Sequence, residues 1–142
     1  MAESDGMRPV YWSLIFRVGN RDKAVKELRR AEALLGQSLL VASFEPYWKI
    51  DGEWRCEATA QIEGASPAEL IANSLLLANR LAYQWSVLGP HLDQAGKLES
   101  FGGTFQAGPG QKTKLSSLVW ADFSVSEKPF EPRGGKPPPD PP

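Results

Sequence analysis

The sequence predicts a single α+β domain, in which an antiparallel sheet packs against two helices. Three observations lead to this fold class. Several segments alternate apolar and polar residues, as half-buried strands do. Two segments carry apolar residues three or four positions apart, and each begins with a helix-capping residue. The chain has 142 residues, of which 42% are hydrophobic, so one domain can bury a core without disulfides.

The first two predicted elements are a strand over 10–19 and a helix over 21–35. Asn20 is a favourable N-cap for the helix, and Gly36 provides its stop. Charged residues of opposite sign lie four positions apart along the helix, which indicates a solvated face rather than a binding patch. The predicted inward residues are Val10, Trp12, Leu14, Phe16 and Val18 of the strand and Ala24, Leu28, Ala31 and Leu35 of the helix.

An Asp-Gly pair at 51–52 separates two alternating segments and predicts a hairpin. We expect a three-residue loop, 50–52, because this register leaves only apolar side chains on one face. Pro46 lacks a backbone N–H, so its strand should lie at a sheet edge or contain a bulge. The inward pairs are then Trp48 with Trp54, Pro46 with Cys56, Phe44 with Ala58 and Ala42 with Ala60. The outward pairs are Lys49 with Glu53, Tyr47 with Arg55, Glu45 with Glu57 and Ser43 with Thr59.

A second helix should begin after Ser66, because Ser66, Pro67 and Glu69 together form an N-terminal capping pattern. Leu76 falls on the polar side of this helix. An exposed leucine there is either an ordinary surface residue or an anchor for an interface. The predicted apolar face of the helix consists of Leu70, Ile71, Ser74, Leu75, Ala78, Leu81 and Ala82.

Three further strands are predicted over 83–88, 101–107 and 115–125, and Gly89-Pro90 should end the first of them. Trp120 lies opposite the apolar positions of the last strand. We therefore expect its side chain to be partly exposed.

The order of the first six elements, strand, helix, strand, strand, helix and strand, resembles the ferredoxin-like, or split βαβ, fold. This resemblance implies two helices on one face of the sheet and the second strand at an edge. The last two strands would form a C-terminal two-strand extension of the βαββαβ sheet. We expect the domain over 10–127, a flexible N-terminus over 1–9 and an extended or disordered, proline-rich tail over 128–142.

Charge and hydropathy argue against several functional classes. The 16 basic and 17 acidic residues are scattered and give a net charge of -1, so no basic footprint for nucleic acid is visible. No segment has the roughly 18 apolar residues of a membrane helix, and the N-terminus lacks a signal-peptide pattern. The single cysteine rules out an internal disulfide and favours a reducing compartment, so we expect the cytoplasm.

The sequence contains no recognisable catalytic, cofactor-binding or metal-binding pattern, so we expect neither an enzyme nor a bound cofactor. His91 is the only histidine and has no companion motif, which favours a solvent-facing loop residue. Cys56 falls on the inward side of its strand, where a reactive thiolate is disfavoured. The segment 108–113 has glycines and a lysine but lacks the spacing and the following helix of a phosphate loop.

The outward row of the hairpin is the predicted working surface. Tyrosine, tryptophan and arginine side chains often dominate protein interfaces. In size, single α+β domain and lack of a catalytic signature, the chain resembles bacterial toxin-immunity proteins. This resemblance implies a protein partner, a cognate toxin whose active site is occluded, and it transfers no particular residue. The predicted partner-binding residues are Glu45, Tyr47, Lys49, Arg55, Glu57 and Trp120.

Two other functions stay open at this point. A dimeric barrel of the ferredoxin-like type would enclose a pocket between two sheets, for a small molecule or a reaction. The groups available for such a pocket are Trp85, Ser86, His91, Trp120 and Asp122. A structural subunit of a larger assembly, or a homodimer, would instead use Leu76, Leu77 and the proline-rich tail for its contacts.

Overall fold

The computed structural model describes residues 7–108 and 113–128 and has an α+β fold. The predicted proline-rich tail from 129 onwards and the first six residues of the predicted flexible N-terminus lie outside the described residues. The elements in chain order are β1 (Met7–Arg17), α1 (Arg21–Leu35), β2 (Leu40–Pro46), β3 (Glu53–Glu63), α2 (Pro67–Ala78), β4 (Ser86–Leu92), β5 (Leu98–Gln106) and β6 (Leu118–Val125).

The six strands form one sheet in the order β2-β3-β1-β6-β5-β4, and all neighbouring strands are antiparallel. The last two strands were expected to form an extension of a ferredoxin-like βαββαβ sheet. The strand order differs from that fold, because β6 and β5 lie inside the sheet, with β6 beside β1, and β4 lies at the far edge. The reason is burial: all seven residues of β4 are exposed, whereas β6 presents an alternating apolar row that can pack beside β1.

Successive side chains of β1 point to opposite faces of the sheet, one buried under the helices, which we call the dry face, and the other uncovered. Trp12 lies directly opposite Ala58 on one side and Phe123 on the other, so these three side chains share a face. Buried side chains of α1 and α2 join the same hydrophobic cluster. The helices therefore cover the face of the sheet that contains Trp12. The alternation predicted the inward position of Trp12, and the ferredoxin-like resemblance implied two helices on one face.

Aromatic rings fill the centre of this core. The ring of Phe123 lies with its centroid 5.5 Å from Trp12, 5.3 Å from Trp85 and 6.2 Å from Phe101. Trp85 also donates a hydrogen bond from its indole N–H to the carbonyl of Ala82 at 2.9 Å. The ring cluster thus connects β1, β5 and β6 to the segment that follows α2.

The predicted bounds of α1 and the predicted start of α2 are confirmed by their caps, but α2 ends at Ala78, before Leu81 and Ala82 of its predicted apolar face. The side chain of Asn20 accepts a hydrogen bond from the backbone N–H of Lys23, and Gly36 has the left-handed φ of 79° that ends a helix. At the start of α2, Ser66 accepts from the N–H of Glu69 at 3.2 Å, while the Glu69 carboxylate accepts from the N–H of Ala65 at 2.7 Å. Side chains thereby satisfy backbone donors that a helix start leaves unpaired.

The charged side of α1 is not solvated throughout, which corrects the prediction. Glu27 is buried, and its carboxylate accepts hydrogen bonds from the hydroxyl of Ser117 and from Arg30. A buried carboxylate is tolerated when such partners replace water. Glu27 therefore connects α1 to the segment before β6.

The hairpin has the predicted faces over residues 43–46 but a different register. Pro46 lies opposite Trp54 and Phe44 opposite Cys56, so the pairing is shifted by two residues from the predicted one. A shift of two keeps the side chains of residues 43–46 on their predicted faces. Beyond Ser43 an irregularity places Val41, rather than Ala42, opposite Ala58, and the predicted inward residues Ala42 and Pro46 are exposed. The shift lengthens the loop to 47–52 and leaves Trp48 57% exposed, so the predicted inward position of Trp48 was wrong.

Packing explains the observed register. The ring of Phe44 contacts that of Trp54 with centroids 5.5 Å apart, a contact that the predicted pairing would not allow. The predicted place of β2 at a sheet edge is confirmed, and the strand has an irregularity between Val41 and Ser43.

The last strands differ from the prediction mainly in their bounds. β4 continues through Gly89-Pro90 to Leu92 instead of ending at Leu88, so His91 lies in a strand opposite Ser100 rather than in a loop. It is nevertheless exposed, as predicted. Trp120 is partly exposed on β6, and this prediction is also confirmed.

Phe123→Ala should lower the free energy of unfolding by about 3–5 kcal/mol, because it removes the ring that three other aromatic rings contact. Urea unfolding followed by circular dichroism measures this loss. Leu76→Ala is the control, since Leu76 is 64% exposed and its removal should change stability by no more than about 0.5 kcal/mol. A smaller loss for Phe123→Ala than for Leu76→Ala would contradict this account of the core.

Candidate functional site

The second face of the sheet carries polar side chains from five strands. Alternate residues of β1 point away from the helices, and their directly opposite partners on β3 and β6 lie on the same side. Pairing continues this row onto β2 and β5. We call this surface the open face, and it consists of Tyr11, Ser13, Ile15, Arg17, Ser43, Glu45, Glu53, Arg55, Glu57, Thr59, Thr104, Gln106, Trp120, Asp122 and Ser124.

A short hydrogen-bond network orders the middle of the open face. The Glu57 carboxylate accepts from Nε of Arg55 and from the hydroxyl of Ser13, both at 2.6 Å. The guanidinium carbon of Arg55 lies 6.0 Å from the centroid of the Tyr47 ring, within the range of a cation–π contact. Arg55 is therefore held between a carboxylate and an aromatic ring.

A cleft of about 500 Å³ opens at the end of the open face, where the β2–β3 loop approaches the ends of β5 and β6. Ile15 is among its lining residues and is only 8% exposed, although it lies on the uncovered side of the sheet. The lining combines apolar or aromatic side chains with charged ones, among them Ile15, Tyr47, Trp120, Arg17, Glu53 and Arg55.

Glu53 and Arg17 form an ion pair in this cleft. The Glu53 side chain is 4% exposed and accepts a hydrogen bond from Arg17 at 3.2 Å, while the Arg17 side chain is 69% exposed. A buried carboxylate is destabilising unless a cation and hydrogen bonds compensate its lost hydration. Glu53 thus keeps an otherwise exposed arginine in the cleft.

The structure brings together three of the six residues proposed from the sequence. Tyr47, Arg55 and Trp120 line the cleft, and Glu57 adjoins them through its bond to Arg55. Glu45 is exposed and lies opposite Arg55 on the open face rather than opposite Glu57 as expected. Lys49 is exposed in the β2–β3 loop and is not among the residues that line the cleft.

Seven of the residues that line the cleft were not recognised from the sequence, among them Ile15, Arg17 and Glu53. The sequence does place Ile15 and Arg17 on the polar side of β1, which was a usable signal. Their place in the site depends on β1 lying between β3 and β6, with Ile15 opposite both Arg55 and Trp120. The alternation of residues within β1 does not show which strands lie beside it.

The groups considered for an enclosed pocket do not share one cavity. Trp85 packs against Trp12 and Phe105 on the helix-covered face. Asp122 and Trp120 lie on the open face, on the other side of the sheet. Ser86 and His91 are exposed on the edge strand β4.

Asp122 and Cys56 have perturbed acidities. Burial raises the pKa of Asp122, and the neighbouring Glu57 raises it further, whereas Arg55 partly opposes the change. Burial also raises the pKa of the Cys56 thiol to about 12, with smaller contributions from Glu57 and Glu32. The thiol is protonated at neutral pH and is therefore a weak nucleophile.

In residues 7–108 and 113–128, no three His, Cys, Asp or Glu side chains converge as a metal site would require.

Comparison with known proteins adds no family. A scan against protein-family models finds no match, and a search of curated proteins finds none either. Neither α1 nor α2 is long and apolar enough to cross a membrane.

Asp122→Asn should stabilise the protein at neutral pH. Because folding raises the pKa of Asp122, the folded state binds its proton more tightly, and stability falls as the pH rises above the ordinary value of 3.8. Asparagine does not ionise and removes this loss. The melting temperature of the variant should exceed that of the wild type at neutral pH, and the difference should shrink well below pH 3.8. A variant that is less stable at neutral pH would contradict the assigned cause.

Cys56 should react with a thiol reagent such as Ellman's reagent only slowly in the folded protein and rapidly after unfolding in urea, because it is buried and protonated. Ser124→Cys provides the matched control, since position 124 is exposed on the open face. Its introduced thiol should react rapidly without denaturant. Rapid labelling of Cys56 in the folded wild type would show that the dry face is accessible.

Proposed function

We propose that this chain is a protein-binding domain that docks a partner on the open face. The observation that carries this proposal is the combination of an uncovered polar sheet surface with an ordered network and a cleft that contains Tyr47 and Trp120. Aromatic and arginine side chains in partly buried positions are the usual energetic centres of protein interfaces.

The size of the open face supports this function. Strands lie about 4.8 Å apart and rise about 3.3 Å per residue. The five strands of the open face, each of about eight residues, therefore cover roughly 24 Å by 26 Å. This is comparable to the area of about 800 Å² that one partner contributes to a standard interface.

The ordered network also favours binding. Arg55 is already restrained by Glu57 and by the Tyr47 ring before a partner arrives. Side chains that are ordered in advance lose less conformational entropy on association. The central position of β1 and β3 in the sheet provides a rigid support for these residues.

The specific form that we propose is inhibition of a bacterial toxin in the cytoplasm, by steric occlusion of the toxin's active site. A binding domain of this kind needs no catalytic group of its own. The proposed relation to the ferredoxin-like fold is limited to β1, α1, β2 and β3, for which the order β2-β3-β1 agrees with a split βαβ unit.

A photo-crosslinking amino acid at Thr59 or Ser124, which lie on the open face, should capture one protein in the native host. The same amino acid at Leu76 on α2 is the matched control and should not capture it. The captured protein is then purified and combined with this chain. If it is a toxin, co-expression of this chain should restore the growth of cells that express it. Equal capture from position 76, or no complex between the purified proteins, would reject the open face as the docking surface.

The double variant Tyr47→Ala, Arg55→Glu should weaken the reconstituted complex by about a hundredfold or more, because it removes two central side chains and reverses a charge. Isothermal titration calorimetry measures the affinity, and circular dichroism checks that the domain is folded. Lys23→Glu on the exposed side of α1 is the control for a change of charge. An unchanged affinity of the double variant would exclude these residues as anchors.

A further inference from the structure

We propose that the cleft recognises an acidic side chain of the partner protein, flanked by a bulky apolar residue. The carboxylate would be bound by Arg17 and Arg55, and the apolar residue would pack on Ile15 and Trp120. This inference rests on the proposed function, because it names the chemistry that the docking surface selects.

The two arginines have hydrogen-bond donors to spare. Arg17 donates to Glu53 through one terminal nitrogen, and Arg55 donates to Glu57 through Nε. Each guanidinium has five N–H donors in a planar fork. Among the described residues no further side-chain hydrogen bond is made by either guanidinium, so most of their donors face solvent or the cleft. Paired donors in this geometry match the two oxygens of a carboxylate.

Sheet geometry brings the two guanidinium groups within reach of one ligand. Arg17 lies opposite Glu53, and Ile15 lies opposite Arg55, so the two arginines are diagonal neighbours on the same face. Such neighbours are roughly 7–8 Å apart at the backbone, a distance that long side chains readily span. Both arginines line the cleft.

The free hydrogen-bond donors of the cleft select an anion over a cation. Two guanidinium groups and the Glu53 carboxylate line the cleft, and the Glu57 carboxylate adjoins it, so each arginine is paired with one carboxylate and the four charges balance. Glu53 is nearly inaccessible and already paired with Arg17, and Glu57 already accepts from Arg55 and Ser13. A basic side chain would meet two like charges and two occupied carboxylates. An acidic side chain would meet two cations with free donors.

The remaining lining explains why the carboxylate should belong to a peptide rather than to a small free acid. The cleft volume of about 500 Å³ greatly exceeds the size of one carboxylate, and it falls in the range of sites that hold larger ligands. Ile15 and Trp120 provide apolar surface beside the arginines. An apolar residue next to the acidic one would remove this surface from water and add affinity.

The test uses the full chain and the amidated peptide acetyl-Gly-Leu-Glu-Leu-Gly-amide, which has no terminal carboxylate. Binding is followed by NMR through the indole N–H of Trp120 and the backbone N–H of Ile15. We expect saturable shifts of both signals with millimolar affinity. The same peptide with Gln in place of Glu should bind roughly tenfold more weakly, and the peptide with Lys should not bind.

Conservative variants identify the residues that hold the carboxylate. Arg17→Lys and Arg55→Lys keep the charge, and so preserve the pairs with Glu53 and Glu57, but lose the planar fork. Each should weaken the Glu peptide several-fold while circular dichroism and the melting temperature show a folded domain. Arg21→Lys, on the exposed side of α1, is the matched control and should bind the peptide as the wild type does.

Several outcomes would overturn the inference. They are an absence of shifts with the Glu peptide, equal binding of the Glu and Gln peptides, tighter binding of the Lys peptide, or unchanged binding by both lysine variants. Glutarate is added as a separate arm, and binding as tight as that of the peptide would assign the cleft to a free acid instead. If the peptide fails while Tyr47→Ala, Arg55→Glu still disrupts the partner complex, the docking function stands and only the carboxylate assignment is lost.

Discussion

The whole structure depends on the two-sided alternation of β1. This strand lies between β3 and β6, so each residue from Val10 to Phe16 has a directly opposite neighbour on both sides. Val10, Trp12, Leu14 and Phe16 have essentially no exposed surface. Because successive residues of a strand point to opposite faces, burying this row obliges the intervening residues to face outwards. The dry core and the open face are consequences of a single pattern.

The core and the candidate site lie on opposite faces of the sheet, but neighbouring residues of the same strands contribute to both. Cys56 is buried in the core, and its neighbours along β3, Arg55 and Glu57, carry the network of the open face. Phe123 is held by aromatic contacts, while Asp122 beside it faces the network. Arg55, Glu57 and Asp122 thus belong to strands whose alternate residues are buried in the core. The packing of those residues limits how far the polar side chains can move.

The sequence predicted local features well because they depend on nearby residues. The caps at Asn20 and Ser66 and the faces of the strands follow from chemistry within a few positions. The hairpin register was shifted by two residues because parity alone does not distinguish pairings that share the same faces. The packing of Phe44 against Trp54 decides between them, and it is visible only in three dimensions.

The strand order and the composition of the cleft were harder to predict, since both arise from contacts between distant segments. Local alternation does not say that β6 rather than β4 lies beside β1. Without that neighbour, Trp120 does not meet Ile15, and the cleft is incomplete. Tyr47, Arg55 and Trp120 were proposed from their residue types and strand faces. Glu53 was expected opposite Lys49, and its ion pair with Arg17 depends on β1 lying beside β3.

The two outer strands differ from the rest of the sheet in a way that affects self-association. β2 has an irregular register between Val41 and Ser43, and β4 contains a proline, which has no backbone N–H to donate. An added strand would therefore meet an interrupted ladder at either edge. Edge-to-edge pairing of sheets from different molecules is therefore disfavoured, even though Val87 and Leu88 are exposed on β4. Interrupted edges of this kind disfavour fibre-like stacking through the borders of the sheet.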